Sequence, residues 1–267
     1  MTELSTATAQ PQATTTADAG PVLAPRRRRS LAGYLFMPLL LLATLVILYV
    51  VVQGRELSSG EQLVLTQENV LDALGVHMQV TVISTILVLV IAIPLGVLLT
   101  RSFARTITPP AIAVFNIGQA VPSIGLIALF AIAWNIGLWP VIVALVAYTV
   151  LPVLRNTMVG LRQVDPSVIE SARGMGMTKA AVLLRIELPL AVPIIMAGLR
   201  TALTINVGTA TLGAFVGVET LGVLIVAGQV QNKQLITVVG GVLVAVLALL
   251  IDYLASIAED VLRPRGL

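Results

Sequence analysis

The groups in this chain that could make or break bonds are few. Cysteine is absent and His77 is the single histidine. A disulfide framework, a thiolate nucleophile and a metal held by a His/Cys cluster are therefore excluded. The polar chemistry concentrates in one stretch, ESARGMGMTKAAVLLRIELP, residues 170–189. Glu170, Arg173, Lys179 and Arg185 stand there around Gly174 and Gly176, with Met175 and Met177 beside the glycines. Exposed methionines at a turn suit an adaptable contact surface, and the other reading is a solvated loop whose charges only satisfy topology.

The rest of the chain must position that surface. It has 267 residues, 57% hydrophobic and 11% charged, with mean hydropathy +1.00. Soluble domains run at roughly 45–50% apolar and 25% charged, so this composition reads as an all-α membrane protein. Apolar runs at 31–52, 76–100, 110–133, 138–154, 189–215 and 235–257 are each close to the ~20 residues a span requires. About six transmembrane helices follow. Residues 1–30, rich in Thr, Ala, Gln and Pro and ending in Arg26–Arg29, read as a disordered basic cytoplasmic tail, and 31–267 as the transmembrane domain. The run after Arg29 is too long for a signal-peptide core and reads as an uncleaved first helix.

Six spans place Arg26–Arg29, Arg101, Arg105, Arg155, Arg162, Arg173, Lys179, Arg185, Arg263 and Arg265 on one side, and only Arg55 and Lys233 on the other. The positive-inside rule makes the first side cytoplasmic, with both termini there. Trp134 and Trp139 then fall at an outer boundary, where indoles prefer to sit. Residues 211–230 are apolar enough to consider as a seventh span, but Glu219 lies at their middle, where an acid costs about 2.5–3.5 kcal/mol. A re-entrant or broken segment at the outer face is the expectation.

Within the polar insert, 155–188, Asp165-Pro166 signals a helix start. That helix should run through Glu170 and stop near Gly174–Gly176. Thr178 can cap a second helix over about 179–187, and Pro189 marks entry into the next span. The insert is thus a helix–turn–helix over about 165–188.

Glu170-x-Ala172-x-x-x-Gly176, then nine residues, then Ile186-x-Leu188-Pro189 resembles the EAA motif of permease subunits of ABC importers, with Ser171 where the first alanine is usual. The resemblance implies a type I ABC importer permease architecture. It also implies that Glu170, Ser171, Ala172, Arg173, Gly174, Met175, Gly176 and Met177 couple to a cytoplasmic ATP-binding subunit. The segments FNIGQAVPSIGLIAL (115–129), LPVLRNTMVGLRQVDPSVIESARGMGMT (151–178), LPLAVPIIMAGLRTA (188–202) and LGVLI (221–225) look like the osmoprotectant branch, which imports glycine betaine, carnitine, choline and similar quaternary amines. One departure stands out: GVETLG, with Glu219 and Thr220, where GAGGLG is expected. The resemblance implies a second permease copy, as homo- or heterodimer, an extracytoplasmic substrate-binding protein, and the cell membrane of a prokaryote as location. No G-x-x-x-x-G-K-[ST] loop occurs, so ATP hydrolysis is expected in a separate subunit. With 4% aromatics, an aromatic cage for quaternary ammonium is expected in the capture protein. No cofactor, metal or nucleic acid is implied; membrane lipid is.

Candidate pathway and gate residues are Gln119, Pro122, Ser123, Arg200, Thr204, Asn206, Thr209 and Glu219. Arg200 is the one basic residue inside a span. It reads either as a gate or as a structural pair with Glu187 or Asp252. Thr204, Asn206, Thr209 and Thr211 form a polar stripe that suits either a pore wall or close helix packing. Pro122 should kink the third span. Glu219 could attract a cationic head group, and His77 should lie at the interface. Two alternatives stay open: an importer of the same build for amino acids, methionine or another betaine-like solute, and a stand-alone secondary transporter or channel. The latter should show ion-coupling carboxylates and inverted repeats, and neither is evident.

Overall fold

A computed structural model describes residues 31–262, and the expectations for the tail 1–30 and for Arg263 and Arg265 lie outside them. Among the described residues the chain is helical throughout, without strands. The helices are α1 (Leu31–Gln53), α2 (Ser59–Val64), α3 (Gln67–Thr100), α4 (Thr108–Ala120), α5 (Ser123–Ala133), α6 (Leu138–Arg162), α7 (Pro166–Gly174), α8 (Lys179–Val182), α9 (Leu188–Ala210), α10 (Gly222–Val230) and α11 (Gln234–Leu262). Five helical stretches are long and apolar enough to cross a membrane, and α4 with α5 makes a sixth if the bent pair counts as one span.

α6 is the centre. More than half of its apolar window, 56%, is buried, and it packs between α3 and α9. Small residues permit the approach. A Cβ on Gly198 of α9 would sit 2.6 Å from Asn156 Cβ and 2.9 Å from the Pro152 carbonyl, both on α6. One on Gly96 of α3 would meet Thr157 of α6 at 2.7 Å. Lipid tails supply no hydrophobic drive between helices, so close backbone contact of this kind is what holds such bundles. Val88, Leu151, Val153, Leu154 and Ala202 fill the space around these contacts. α1 is peripheral: 6% of its window is buried. It rests on α11, where the Tyr253 hydroxyl donates to the Tyr34 carbonyl and the Tyr34 hydroxyl to Asp260.

Several expected boundaries move. The 110–133 run is not one continuous kinked helix but two helices meeting at 94°. Pro122 has no N–H and forces Val121, the residue before it, into extended backbone (φ −74°, ψ 132°). Pro122 is extended as well (ψ 131°), so two consecutive residues break the helix. α3 starts at Gln67 rather than 76, with Thr66 Oγ1 capping Asn69 N–H. α6 runs on to Arg162 rather than ending at 154. The helix entering the fifth span does not begin at Pro189. α8, a π turn at Leu183–Glu187 and α9 form one continuous helix. Pro189 cannot donate to the Arg185 carbonyl and would press its ring on it; a wider turn relieves both.

Residues 211–230 are broken, as the Glu219 argument required. A 3₁₀ turn (Thr211–Val216) ends at left-handed Gly217 (φ +74°), and α10 follows. Thr220, the departure from the glycine-rich pattern, is fully buried. Its Oγ1 donates to the Ala210 carbonyl at 3.1 Å and accepts from Gly222 N–H at 3.3 Å, stapling the end of α9 to the start of α10.

Candidate functional site

The helix–turn–helix is built by local signals. Asp165 Oδ1 accepts from Ser167 N–H at 2.8 Å, with Pro166 at the first helical position. Those bonds favour the ionised carboxylate and hold its pKa below the ordinary value. At the other end the Gly176 N–H bonds to the Arg173 carbonyl (2.9 Å) and the Met177 N–H to Ala172 (3.2 Å). This is the Schellman pairing, with Gly176 at the left-handed position (φ +83°). Nothing lies within 4 Å of a Cβ placed there, so glycine is required by backbone conformation and not by space. Thr178 Oγ1 then accepts from Ala181 N–H at 3.2 Å and starts α8.

The eight motif residues divide cleanly. Ala172 is buried against α8 with Val182. Glu170, Ser171, Arg173, Gly174, Met175 and Gly176 are exposed, Met175 at 76%, and Met177 is half-buried. Ser171 Oγ donates back to the Ser167 carbonyl at 2.8 Å, so the hydroxyl replacing the usual alanine is satisfied inside its own helix. Glu170 and Arg173 have no ion-pair partner among the described residues. The result is an exposed polar knob joined without a break to α9.

The root of the knob is fixed by an ion pair that sequence reasoning missed. Glu187, in the π turn, is not the partner of Arg200. It accepts from Arg101, just past the end of α3, at 2.6 Å (Nη2–Oε2) and 3.4 Å (Nη1–Oε1). The Glu187 side chain is 6% exposed, and a carboxylate that deeply buried requires a partner cation. The readable signal was an acid two residues before Pro189 in an apolar context, with Arg101 at the same end of the bundle.

Arg200 takes the other partner proposed for it. Its Nε and Nη2 grip Asp252 Oδ1 and Oδ2, both at 2.9 Å, and Nη1 reaches Glu259 at 3.3 Å. This fork is the strong geometry for guanidinium and carboxylate, and it ties α9 to α11. Beside it, Ala197, Arg200, Thr201, Thr204 and Asp252 line a cavity of about 260 Å³.

The stripe on α9 does not share one face. Thr204 is exposed with Ala197, Thr201 and Gly208, and Thr209 is half-buried. Asn206 is fully buried: its Nδ2 donates to Thr85 Oγ1 (3.1 Å) and its Oδ1 accepts from Thr149 Oγ1 (3.2 Å), joining α3, α6 and α9. Gln119 Nε2 donates to the Tyr148 carbonyl at 2.9 Å, holding the end of α4 on α6. Pro122 is exposed at the bend and Ser123 opens α5 half-buried. Glu219 is exposed and shares a cavity of about 250 Å³ with Asn69 and Asp72 under apolar walls.

His77 is enclosed by the bundle rather than exposed at its edge. α3 begins ten residues earlier, and the ring is fully buried, with Nε2 donating to the Val207 carbonyl at 3.0 Å. Nδ1 has no partner among the described residues. Those residues also contain no cluster of acids and histidine able to hold a metal.

Residues 92–264 match the family model described as binding-protein-dependent transport system inner membrane component. The chain is 41% identical over 219 residues to the choline transport system permease protein OpuBB of Bacillus subtilis (strain 168), covering 81% of this chain and 95% of that one. It is 39% identical over 193 residues to the glycine betaine/carnitine/choline transport system permease protein OpuCB of the same organism, covering 72% and 88%. It is also 38% identical over 180 residues to the osmoprotectant import permease protein OsmY of Salmonella typhimurium (strain LT2), covering 67% and 76%. Among solved structures, an inward-facing MetNI methionine ABC transporter chain superposes with TM-score 0.64 at 24% identity, covering 73% of this chain and 96% of that one. A chain of an amino acid ABC transporter does so with TM-score 0.63 at 17% identity, covering 77% and 99%. These two share the fold, which is the type I importer permease architecture. By the family match and these relatives, this chain belongs to the binding-protein-dependent transport system inner membrane components, the permease family of ABC importers.

Proposed function

We propose that the chain is the pore-forming permease subunit of an ATP-driven importer of quaternary-amine osmolytes. The names of the relatives, which transport choline, glycine betaine and carnitine, support the cargo. The coupling is carried by one observation: the exposed α7–α8 turn continues through a π turn into α9. A cytoplasmic ATP-binding subunit docks on Glu170 to Met177. Closing of two such subunits on ATP displaces the knob, and α9 follows it. A pore between two permease copies then alternates between inward- and outward-facing states. Nucleotide can drive this only by favouring one state over the other, and the knob is where that preference enters.

In this reading the tail 1–30 and the C-terminus are cytoplasmic, 31–267 is the permease domain, and a substrate-binding protein delivers cargo at the opposite face. The 94° bend at Gln119–Ser123, the Thr204 face of α9 with Thr209, and Arg200 border the path, while Asn206 braces it from inside. Glu219 beside Asp72 gives the outer mouth a negative field for cationic head groups, so Glu219→Gln should weaken choline uptake more than that of a neutral solute.

Proteoliposome uptake tests the assignment. Labelled choline, carnitine or glycine betaine should accumulate only when ATP, the ATP-binding subunit and the binding protein are all present. Uptake by this chain alone would replace the importer reading with a stand-alone secondary transporter. Uptake of methionine or other amino acids in place of quaternary amines would keep the machine and change the cargo.

A further inference from the structure

One concave space among the described residues plays no part in the coupling reading. It has a volume of about 800 Å³ and lies where α3 and α6 end and α4 begins. Arg101, Arg105 and Arg162 line it together with Ser102, over an apolar wall that includes Leu99 and Ile112. Arg101 is committed to Glu187. The side chains of Arg105 and Arg162 are exposed and have no hydrogen-bond or ion-pair partner among the described residues. With one carboxylate set against three guanidinium groups, the cavity keeps an excess of two positive charges.

Its position decides the ligand. Arg101 directly follows the apolar run of α3, and Arg162 closes α6. Both therefore stand at the end of a membrane span, where hydrocarbon gives way to headgroups. The same connection exposes Phe103 (69%) and Ile107 (60%), apolar surface of the kind that marks a membrane contact. Unpaired guanidinium groups, whose planar forks match phosphate oxygens, with apolar residues at their flank describe a receptor for a phosphate that carries hydrocarbon. Basic pockets between transmembrane helices bind anionic lipid headgroups by this chemistry. We infer that this cavity holds the phosphodiester headgroup of an anionic membrane lipid on Arg105 and Arg162, with Arg101 as its inner wall.

The test uses the full chain alone and needs no ATPase or transport, so its failure is separate from failure of the importer reading. Purified chain in mild detergent is mixed with equal phosphatidylglycerol and phosphatidylcholine, and retained lipid is counted by native mass spectrometry. Each interfacial arginine is worth about a five-fold preference for anionic lipid, so Arg105→Gln with Arg162→Gln should lower the selectivity by roughly 30-fold. Lysines at both positions should restore most of it, which separates loss of charge from misfolding. Arg185→Gln removes an exposed charge outside the cavity and should change nothing. Undiminished selectivity in the double glutamine variant, or equal loss in Arg185→Gln, would overturn the inference. Displacement of phosphatidylglycerol by equimolar inorganic phosphate would assign the cavity to a free anion and overturn the lipid. Absence of any preference in the wild type would do the same, leaving the arginines to an acidic face of a protein partner.

Discussion

Gly176 offers a perturbation whose effect separates backbone conformation from side-chain contact. Its φ of +83° lies in the left-handed region, and a Cβ there meets no atom within 4 Å. Replacement by alanine therefore costs only the conformational penalty, about 1–2 kcal/mol. That is roughly a 5- to 30-fold fall in the population of the ordered turn. Asparagine visits the left-handed region more readily than other residues and should lose much less. Valine, branched at Cβ, should lose most. The bundle should not notice, because the side chains at 174–176 are exposed. The expected order for capture of the ATP-binding subunit, and for ATP-driven uptake, is Gly, Asn, Ala, Val, with melting of the detergent-solubilised chain unchanged. If Ala and Asn behave alike, or if all three substitutions lower the melting temperature together, the turn is not the element that fails and the reasoning is wrong.

Other consequences are more local. Arg101→Met strands the buried Glu187 carboxylate and should destabilise the chain by about 3 kcal/mol, whereas the Arg101→Met, Glu187→Met double variant should recover most of it in thermal melts. Gly198→Ala forces a methyl group to 2.6 Å from Asn156 Cβ and should cost about 1–3 kcal/mol by overpacking; Gly208→Ala, with nothing within 4 Å, should be neutral or slightly stabilising in the same melts. Asp165 has a lowered pKa, so its cap contributes fully above the ordinary carboxylate value and is lost as pH falls through the lowered one. The protection factor of the Ser167 amide, its exchange rate corrected for the intrinsic pH dependence, should fall over that acid range in the native chain and stay flat in Asp165→Asn.

The knob was legible because its signals are local. Asp165-Pro166, Gly176 and Thr178 each act on backbone within a few residues, and the structure uses each as expected. Spans were legible as hydropathy but their ends were not. The expected start of α3 and end of α6 were set where polar residues begin, yet both helices run on through those residues. Pro122 was readable as a kink but not as a 94° break, since that depends on Val121 and Pro122 both being extended. Long-range pairs were least legible. Arg101 and Glu187 lie 86 residues apart, and Asn206 and Thr85 are 121 apart. Which side of α9 faces inward is set by the small-residue contact at Gly198, not by the polarity of the stripe itself.

The contrast between α1 and α6 sets how far each can drift in composition. With 6% of its window buried against 56% for α6, α1 answers to a solvent rather than to a mould. Any shuffle of Leu, Val, Ile and Ala that keeps its hydropathy and leaves Tyr34 in place should serve there. In α6 the same shuffle would alter shape at nearly every turn. Saturation mutagenesis should find α1 permissive to apolar exchange and closed only to charge, and α6 closed to both.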